Sequence, residues 1–345
     1  MKIAIITQPL DSNYGGLLQN YALQQVLKKM GHSTITFDQT GWLPPIIIKI
    51  KIALKSLFTM HNPFKSFVEK NINTTPKAKC LSDFKKFEKK YKPDAYIVGS
   101  DQVWRPKYNI FLDSCFLTFT DSKTKIVYAA SFGTDDWEYN TQETKRYASC
   151  LKAFKAIGVR ERSAVTLCKE HFGIDAQLVL DPTLLLEAED YQKICISNNK
   201  HNPYIFTYIL DSADWKRDMV KDVCNIRSCK EVAGLKGMNG NIGKRLTVEE
   251  WVSYLKNASF VICDSFHGTI FSILMHRPFL VLGNSKRGNT RLLSILEAVG
   301  LKNRLVMENE VIDIVNLPSI NWTDIDQRIS KLRSESIDFL SKALI

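Results

Sequence analysis

Short apolar runs recur along the first half of the chain as KIAIITQ (2–8), STITFD (33–38), DAYIVGS (94–100), KIVYAAS (125–131) and AIGVR (156–160), mostly separated by helical or irregular segments. Each is too short for a helix and apolar on consecutive positions, so the strand it forms needs cover on both faces. A largely parallel sheet with helices on either side provides that cover, which makes the chain doubly wound α/β. After QLVLD (177–181) and Pro182-Thr183 the pattern restarts with YIFTYIL, a helix around 214–227, EVAGL, and a helix opened by Thr247-Val248-Glu249-Glu250. That tetrad is a capping box, in which the threonine hydroxyl and the second glutamate close the helix's first amides reciprocally. FVICD, SFHG, TIFSILMH and PFLVLG then read as strand, sharp turn, helix, strand. The restart divides the chain into two Rossmann-like domains, 1–182 and 183–320, followed by a helix within 321–345 that could cross back onto the first. No internal repeat or low-complexity tract is evident.

A chain of 345 residues, 45% hydrophobic and 24% charged, can bury two such cores. Its formal net charge of +11 favours an anionic partner: phosphate, nucleic acid or an anionic membrane surface. No recognition motif accompanies the basic residues, so nucleic acid is not expected. The start MKIAIITQ lacks the apolar core of a signal peptide, and no apolar stretch approaches the roughly 20 residues of a membrane span. The plain reading is cytoplasmic. Within an insertion at 41–62, the segment GWLPPIIIKIKIALKSLF (41–58) carries Lys49, Lys51 and Lys55 and no acid. It reads either as an amphipathic helix lying peripherally on the inner face of the membrane or as a helix packed on its own domain with snorkelling lysines. Eight cysteines are scattered without a CxxC pair, and His32, His61, His171, His201 and His276 show no HxH or HExxH spacing. Neither disulfides nor a metal site is expected.

Ligands of open α/β sheets collect beyond the carboxyl ends of the strands, where helix N-termini offer free amides and partial positive charge. The residues placed there by the pattern are therefore the candidates. His267, in Ser265-Phe266-His267-Gly268, leads; its bland competitor is a satisfied histidine at a helix start. Asn13-Tyr14-Gly15-Gly16 follows the first strand, its glycines allowing backbone amides to approach a ligand or merely making a tight turn. Gln19 lies within reach on the next helical turn. Asp101, with Gln102 and Trp104, suits recognition of sugar hydroxyls or general-base work, against a routine cap. Ser131 ends the next strand, and Arg160 could fork onto a carboxylate or phosphate or pair with Glu161. Asp264 flanks the histidine turn. Arg287 and Arg291, in NSKRGNTR (284–291), make a plausible phosphate-binding loop or a solvated turn.

The ordered set NYGGLLQNYAL, VGSDQVW, YAASFG, VRERS, LVLDPTLLL, DSFHGTIFSI and RGNTRLLSIL resembles the polysaccharide pyruvyl transferase family over residues 13 to 296. The resemblance implies a glycosyltransferase-B-like fold with the site in the cleft between the domains. It also implies phosphoenolpyruvate as co-substrate, with no further cofactor, and a surface-glycan sugar or its lipid-linked precursor as acceptor, giving a pyruvate ketal. On that reading His267, Asp101 and Asp264 are catalytic. Arg160, Ser265, Phe266, Gly268, Arg287 and Arg291 bind the donor. Asn13, Tyr14, Gly15, Gly16, Gln19, Gln102, Trp104 and Ser131 face the acceptor. One position departs from the pattern: family members often carry arginine two residues before the histidine, where this chain has Ser265. Arg287 or Arg291 could supply the missing guanidinium. A nucleotide-sugar glycosyltransferase, or a non-catalytic glycan-binding subunit of a polysaccharide assembly system, would be compatible with the same residues.

Overall fold

The computed structural model describes residues 1–11, 13–40, 62–196, 202–235, 245–284 and 287–345. The basic segment 41–58 therefore lies outside the described residues, as do His61, His201, Ser285 and Lys286. A six-stranded sheet forms the first half, with strands β1 (Lys2–Ile6), β2 (Ser33–Thr36), β3 (Ala95–Val98), β4 (Lys125–Ala130), β5 (Ala156–Val159) and β6 (Gln177–Leu178) in the order β2-β1-β3-β4-β5-β6. A five-stranded sheet forms the second, with β7 (Tyr204–Tyr208), β8 (Lys230–Ala233), β9 (Phe260–Cys263), β10 (Phe279–Leu282) and β11 (Leu305–Val306) in the order β11-β10-β9-β7-β8. Every pairing is parallel. All residues of β3, β4, β7, β9 and β10 are buried, which is why these strands read as unbroken apolar runs rather than alternating ones.

Five helices position the site: α1 (Tyr14–Lys29), α2 (Val248–Lys256), α3 (Phe266–Leu274), α4 (Thr290–Val299) and α5 (Trp322–Leu344). The capping box at Thr247 opens α2. Two helices begin earlier than the hydrophobic pattern implies. Asn13 caps α1, its side chain accepting from Gly16 N at 2.5 Å, so Gly15 and Gly16 belong to the helix rather than to a loop. Ser265 caps α3 in the same way through Gly268 N at 2.9 Å, so the expected SFHG turn is the helix's first turn.

The two halves share one apolar cluster across their junction. The Tyr14 ring of α1 stacks on Trp251 of α2 at 5.3 Å and meets Tyr208 of β7 edge-on at 5.7 Å. Tyr191 meets Phe271 of α3 edge-on at 4.8 Å and reaches across to Tyr21 of α1 at 6.3 Å. Each such pair contributes about 0.5–1.5 kcal/mol beyond its buried area, so the junction is held by core packing. Helix α5 spans it from behind. Trp322 stacks on His276 of the second half at 4.9 Å, while Phe339 packs against Gly158 and against Tyr128 of the first, at 6.1 Å. Leu180 N donates to Ser336 Oγ at 3.0 Å. Among the described residues no helix is long and apolar enough to cross a membrane.

Candidate active site

The carboxyl ends of both sheets face one cavity of about 320 Å³, lined by Asn13, Gly15, Asp101 and Gln102 from the first half. From the second half come Tyr208, Leu210, Leu235, Arg245, Asp264, Ser265, Phe266, His267, Arg287, Gly288, Arg291 and Leu292. The N-termini of α1, α3 and α4 converge there. Close approach needs glycine at two places. A β-carbon at Gly15 would fall inside the van der Waals radius of His267 Nδ1, so the histidine ring rests directly on the α1 backbone. At Gly288, where φ is +78°, a β-carbon would lie 2.7 Å from the Gly133 carbonyl oxygen of the opposite half. The loop before α4 thereby closes one edge of the cavity.

The cavity is built for negative charge. Arg291 is 8% exposed, and its Nε has no hydrogen-bond partner among the described residues. No described carboxylate pairs with it; its guanidinium sits 5.9 Å from the Phe266 ring. Burial, joined by the like charge of Arg160, depresses its pKa to about 10. Glu161 and Asp101 attract it without pairing with it, so an incoming carboxylate or phosphate would supply its direct partner. Arg287 lines the same cavity but is paired with Asp211 at 2.5 Å. His267 is 8% exposed, with Nδ1 toward Gly15 and Nε2 buried without a hydrogen-bond partner among the described residues.

Asp101 is the cavity carboxylate closest in role to the one expected. It accepts from Gln102 N at 2.9 Å and pairs with Arg160 at 2.9 Å. Burial pushes its carboxyl up, but Arg160, together with Arg291 and the adjacent His267, outweighs burial and holds it below the usual carboxylate range. It is therefore ionised and a weak base.

Several expected ligands are instead framework. Arg160 is the main correction: its side chain is fully inaccessible, fixed by Asp101 and by Asp181 at 2.6 Å, and it stacks over Phe266 at 4.5 Å. It neutralises two buried carboxylates and does not line the cavity. Asp264 lines the cavity, but its Oδ1 accepts from Leu210 N at 2.6 Å and its Oδ2 from Asp211 N at 3.1 Å, Lys216 Nζ at 2.7 Å and Asn284 Nδ2 at 3.0 Å, which fixes it as framework and weakens it as a base. Ser265 uses its hydroxyl as the α3 cap, and Gly268 supplies the capped amide. Trp104 is buried in the first core and donates to the Cys115 carbonyl; Ser131 donates to Glu161. Gln19 ties Thr7 to Ser100, and Tyr14 belongs to the inter-domain cluster. Gly16 closes the α1 cap. Gln102 and Asn13 remain at the cavity wall.

The residue that sequence reasoning passed over is Asp181, beyond the end of β6. It is 2% exposed and lies between Arg160 and His267, with Oδ1 3.8 Å from His267 Nε2. Burial pushes its carboxyl up, yet His267, Arg160 and Thr183 hold it well below the usual range.

The family model for polysaccharide pyruvyl transferase matches residues 13–286, which contain His267, Asp101, Asp181 and the whole inter-domain cluster around Tyr14. The chain belongs to that family. Polysaccharide pyruvyl transferases are polysaccharide-modifying transferases; of the cavity lining, Arg287, Gly288, Arg291 and Leu292 lie beyond the matched region and the other residues within it. No curated protein matches the chain. Among solved structures, the chain is similar to the S. aureus MnaA–UDP co-structure, at 13% identity and a TM-score of 0.54 over 96% of this chain and 87% of that one. It is also similar to UDP-GlcNAc 2-epimerase from Methanocaldococcus jannaschii in complex with UDP-GlcNAc and UDP, at 12% identity and a TM-score of 0.52 over 96% and 93%. A glycosyltransferase from Rickettsia africae ESF-5 matches at 13% identity and a TM-score of 0.50 over 99% and 93%. At these identities the likeness is one of fold. This polysaccharide pyruvyl transferase has two Rossmann-like domains facing across a cleft in the glycosyltransferase-B-like arrangement.

Proposed function

We propose that the chain transfers a pyruvyl group from phosphoenolpyruvate to two hydroxyls of a sugar in a surface polysaccharide or its lipid-linked precursor, forming a pyruvate ketal. The observation that carries this is Arg291, a buried guanidinium paired with no carboxylate among the described residues, facing the same cavity as His267. Phosphoenolpyruvate brings a carboxylate and a phosphate on one small carbon frame, and a cavity of about 320 Å³ suits that donor together with part of a sugar. Arg291 and the N-termini of α3 and α4 would neutralise the donor's charge, with Arg287 available once it leaves Asp211. Arg291 thus does the work of the arginine absent at Ser265.

His267 would deliver a proton to the methylene carbon, leaving an oxocarbenium-like centre at the adjacent carbon. One acceptor hydroxyl adds to that centre, and a second displaces the phosphate. Of the two hydroxyl protons, one replaces the proton delivered to the new methyl group and the other leaves on phosphate. Asp101 takes the proton of the attacking hydroxyl. A hydroxyl adding to an oxocarbenium becomes strongly acidic, so a base below the usual carboxylate range suffices.

The test is phosphate release from phosphoenolpyruvate against galactose-, mannose- and N-acetylmannosamine-terminated lipid-linked acceptors, with wild type and His267→Ala. Release with wild type and none with the variant supports the reading. Silence across the panel, with a thermal shift from UDP or a nucleotide sugar and none from phosphoenolpyruvate, moves the chain to nucleotide-sugar chemistry, in keeping with the UDP-GlcNAc and UDP bound by the M. jannaschii epimerase. Binding of a lipid-linked glycan without release would make it a glycan-binding subunit.

A further inference from the structure

Asp181 takes no direct part in the chemistry above, yet it ties the two halves of the molecule together electrostatically. Its Oδ2 accepts from Arg160 Nη1 at 2.6 Å and Ser100 Oγ at 2.9 Å. Its Oδ1 accepts from Thr183 N at 3.0 Å and Thr183 Oγ1 at 2.7 Å. Beyond them, across the domain junction, lies His267 Nε2 at 3.8 Å, a buried nitrogen with no hydrogen-bond partner among the described residues. That separation is about 1 Å longer than a hydrogen bond between such groups. Two of the four donors on Asp181 are hydroxyls that can turn away, and Ser100 Oγ already has the Ala129 carbonyl at 3.1 Å as a second acceptor. The carboxylates in electrostatic contact with the histidine are Asp181 and Asp101, both buried and both paired with the buried Arg160, while Arg291 lines the same cavity. An N–H at Nε2 would face Asp181 as a further donor. The other ring nitrogen, Nδ1, faces Gly15, which lines the cavity.

We propose that Asp181 is the positioning residue for His267: its carboxylate holds the ring proton on Nε2, so that Nδ1 is the nitrogen exchanging a proton with the substrate. Asp181 belongs to the first half and His267 to the second, so the working ring orientation exists only when the two halves are docked. The inference deepens the reading of His267 as the proton-handling group, and one of its tests is independent of turnover.

That test is the tautomer itself. Long-range ¹H–¹⁵N spectra of the full chain labelled with ¹⁵N-histidine, recorded where the ring is neutral and with the signal assigned by its loss in His267→Ala, should show the proton on Nε2. In Asp181→Asn that preference should weaken or invert. A wild-type ring protonated on Nδ1, or a tautomer unchanged in Asp181→Asn, overturns the proposal. In the kinetic test, Asp181→Asn should lower kcat by about 10²-fold with KM for phosphoenolpyruvate almost unchanged, the scale expected for loss of ring orientation. Asp181→Glu should recover part of the loss. In a His267→Ala background, Asp181→Asn should cost nothing further, because the two residues act as a unit. Equal losses in both backgrounds, or a loss in KM alone, overturn it. Should Asp181→Asn fail to fold, the wild-type tautomer and Asp181→Glu decide the matter. If the wild type releases no phosphate from phosphoenolpyruvate, the transfer reading fails, while the tautomer still judges the pairing.

Discussion

Replacing Arg291 with methionine should make the free protein harder to unfold while removing its affinity for small anions. The magnitude follows from the electrostatics of the site. Burial, with help from Arg160, lowers the Arg291 pKa from 12.5 to about 10. That interval corresponds to roughly 3 kcal/mol of disfavoured charge, at about 1.4 kcal/mol per tenfold. The sign runs against the native state: both folded and unfolded chains carry the charge below about pH 10, so the whole cost is present at neutral pH and is relieved only as pH rises through the folded value. Methionine nearly matches the length of the arginine stem and packs against Phe266 without a charge to desolvate. Allowing for imperfect packing, Arg291→Met should gain about 1–3 kcal/mol, read as a higher urea midpoint in the absence of anions. Inorganic phosphate or phosphoenolpyruvate should raise the melting temperature of wild type and leave that of the variant unmoved. A variant less stable than wild type would show that Arg291 is a structural residue with a partner of its own, and would remove the main support for an anion site. A variant that still gains stability from phosphate would show that the anion binds elsewhere.

Three further outcomes follow from the geometry. Gly15→Ala places a methyl group against the His267 ring, so the α1–α3 contact must open; we expect a loss of about 1–3 kcal/mol in stability and about 10²-fold in phosphate release, checked by urea melts and steady-state kinetics. Adding Ser265→Arg to Arg291→Met should restore part of the phosphate-induced thermal shift at a cost of about 1 kcal/mol from the lost α3 cap, whereas no restored shift would show that position 265 cannot reach the anion. Because the folded pKa of Asp181 is depressed, its contribution to stability is complete above the unfolded carboxylate value of about 3.9 and is lost as pH falls through the lower folded value. Asp181→Asn should therefore cost roughly 3–5 kcal/mol at pH 7 and less, though not nothing, at pH 2, measured by urea midpoints at both.

Much of the scaffold is written in local pattern. Buried parallel strands are continuously apolar, so β1, β3, β4, β7, β9 and β10 announce themselves, and the capping box at Thr247 marks the start of α2. Caps formed by Asn13 and Ser265 were harder to read, because each is followed by glycine or an aromatic rather than by the acid that makes a capping box. Those two misplaced starts put Gly15 and His267 in loops, when each stands in a helical first turn. The site was legible by position but not by role. Sequence places Asp101, Arg160, Asp264 and His267 at strand ends, yet which are exposed depends on partners far along the chain. Arg160 is fixed by carboxylates at 101 and 181, Asp264 by Lys216 and Asn284, and Trp104 by the first core. Asp181 sits in LVLDPTLLL beside a proline and a threonine that it caps, which disguised it as turn chemistry. Its significance lies in a contact with the other half of the molecule, and local pattern carries no record of such a contact.

Helix α5 follows both sheets in chain order, and on a translating ribosome it emerges after them. By then β1 to β11 can already have paired, yet Leu180, next to Asp181, still lacks the Ser336 hydroxyl that receives its amide, and Gly158 and Tyr128 lack the Phe339 ring that covers them. The backbone beneath the carboxylate is thus set by a helix that follows every cavity-lining residue in the chain. A nascent chain interrupted before α5 would own every residue lining the cavity and still lack the seat for Asp181. A chain truncated before α5 is therefore expected to lose phosphate release although it keeps every cavity-lining residue.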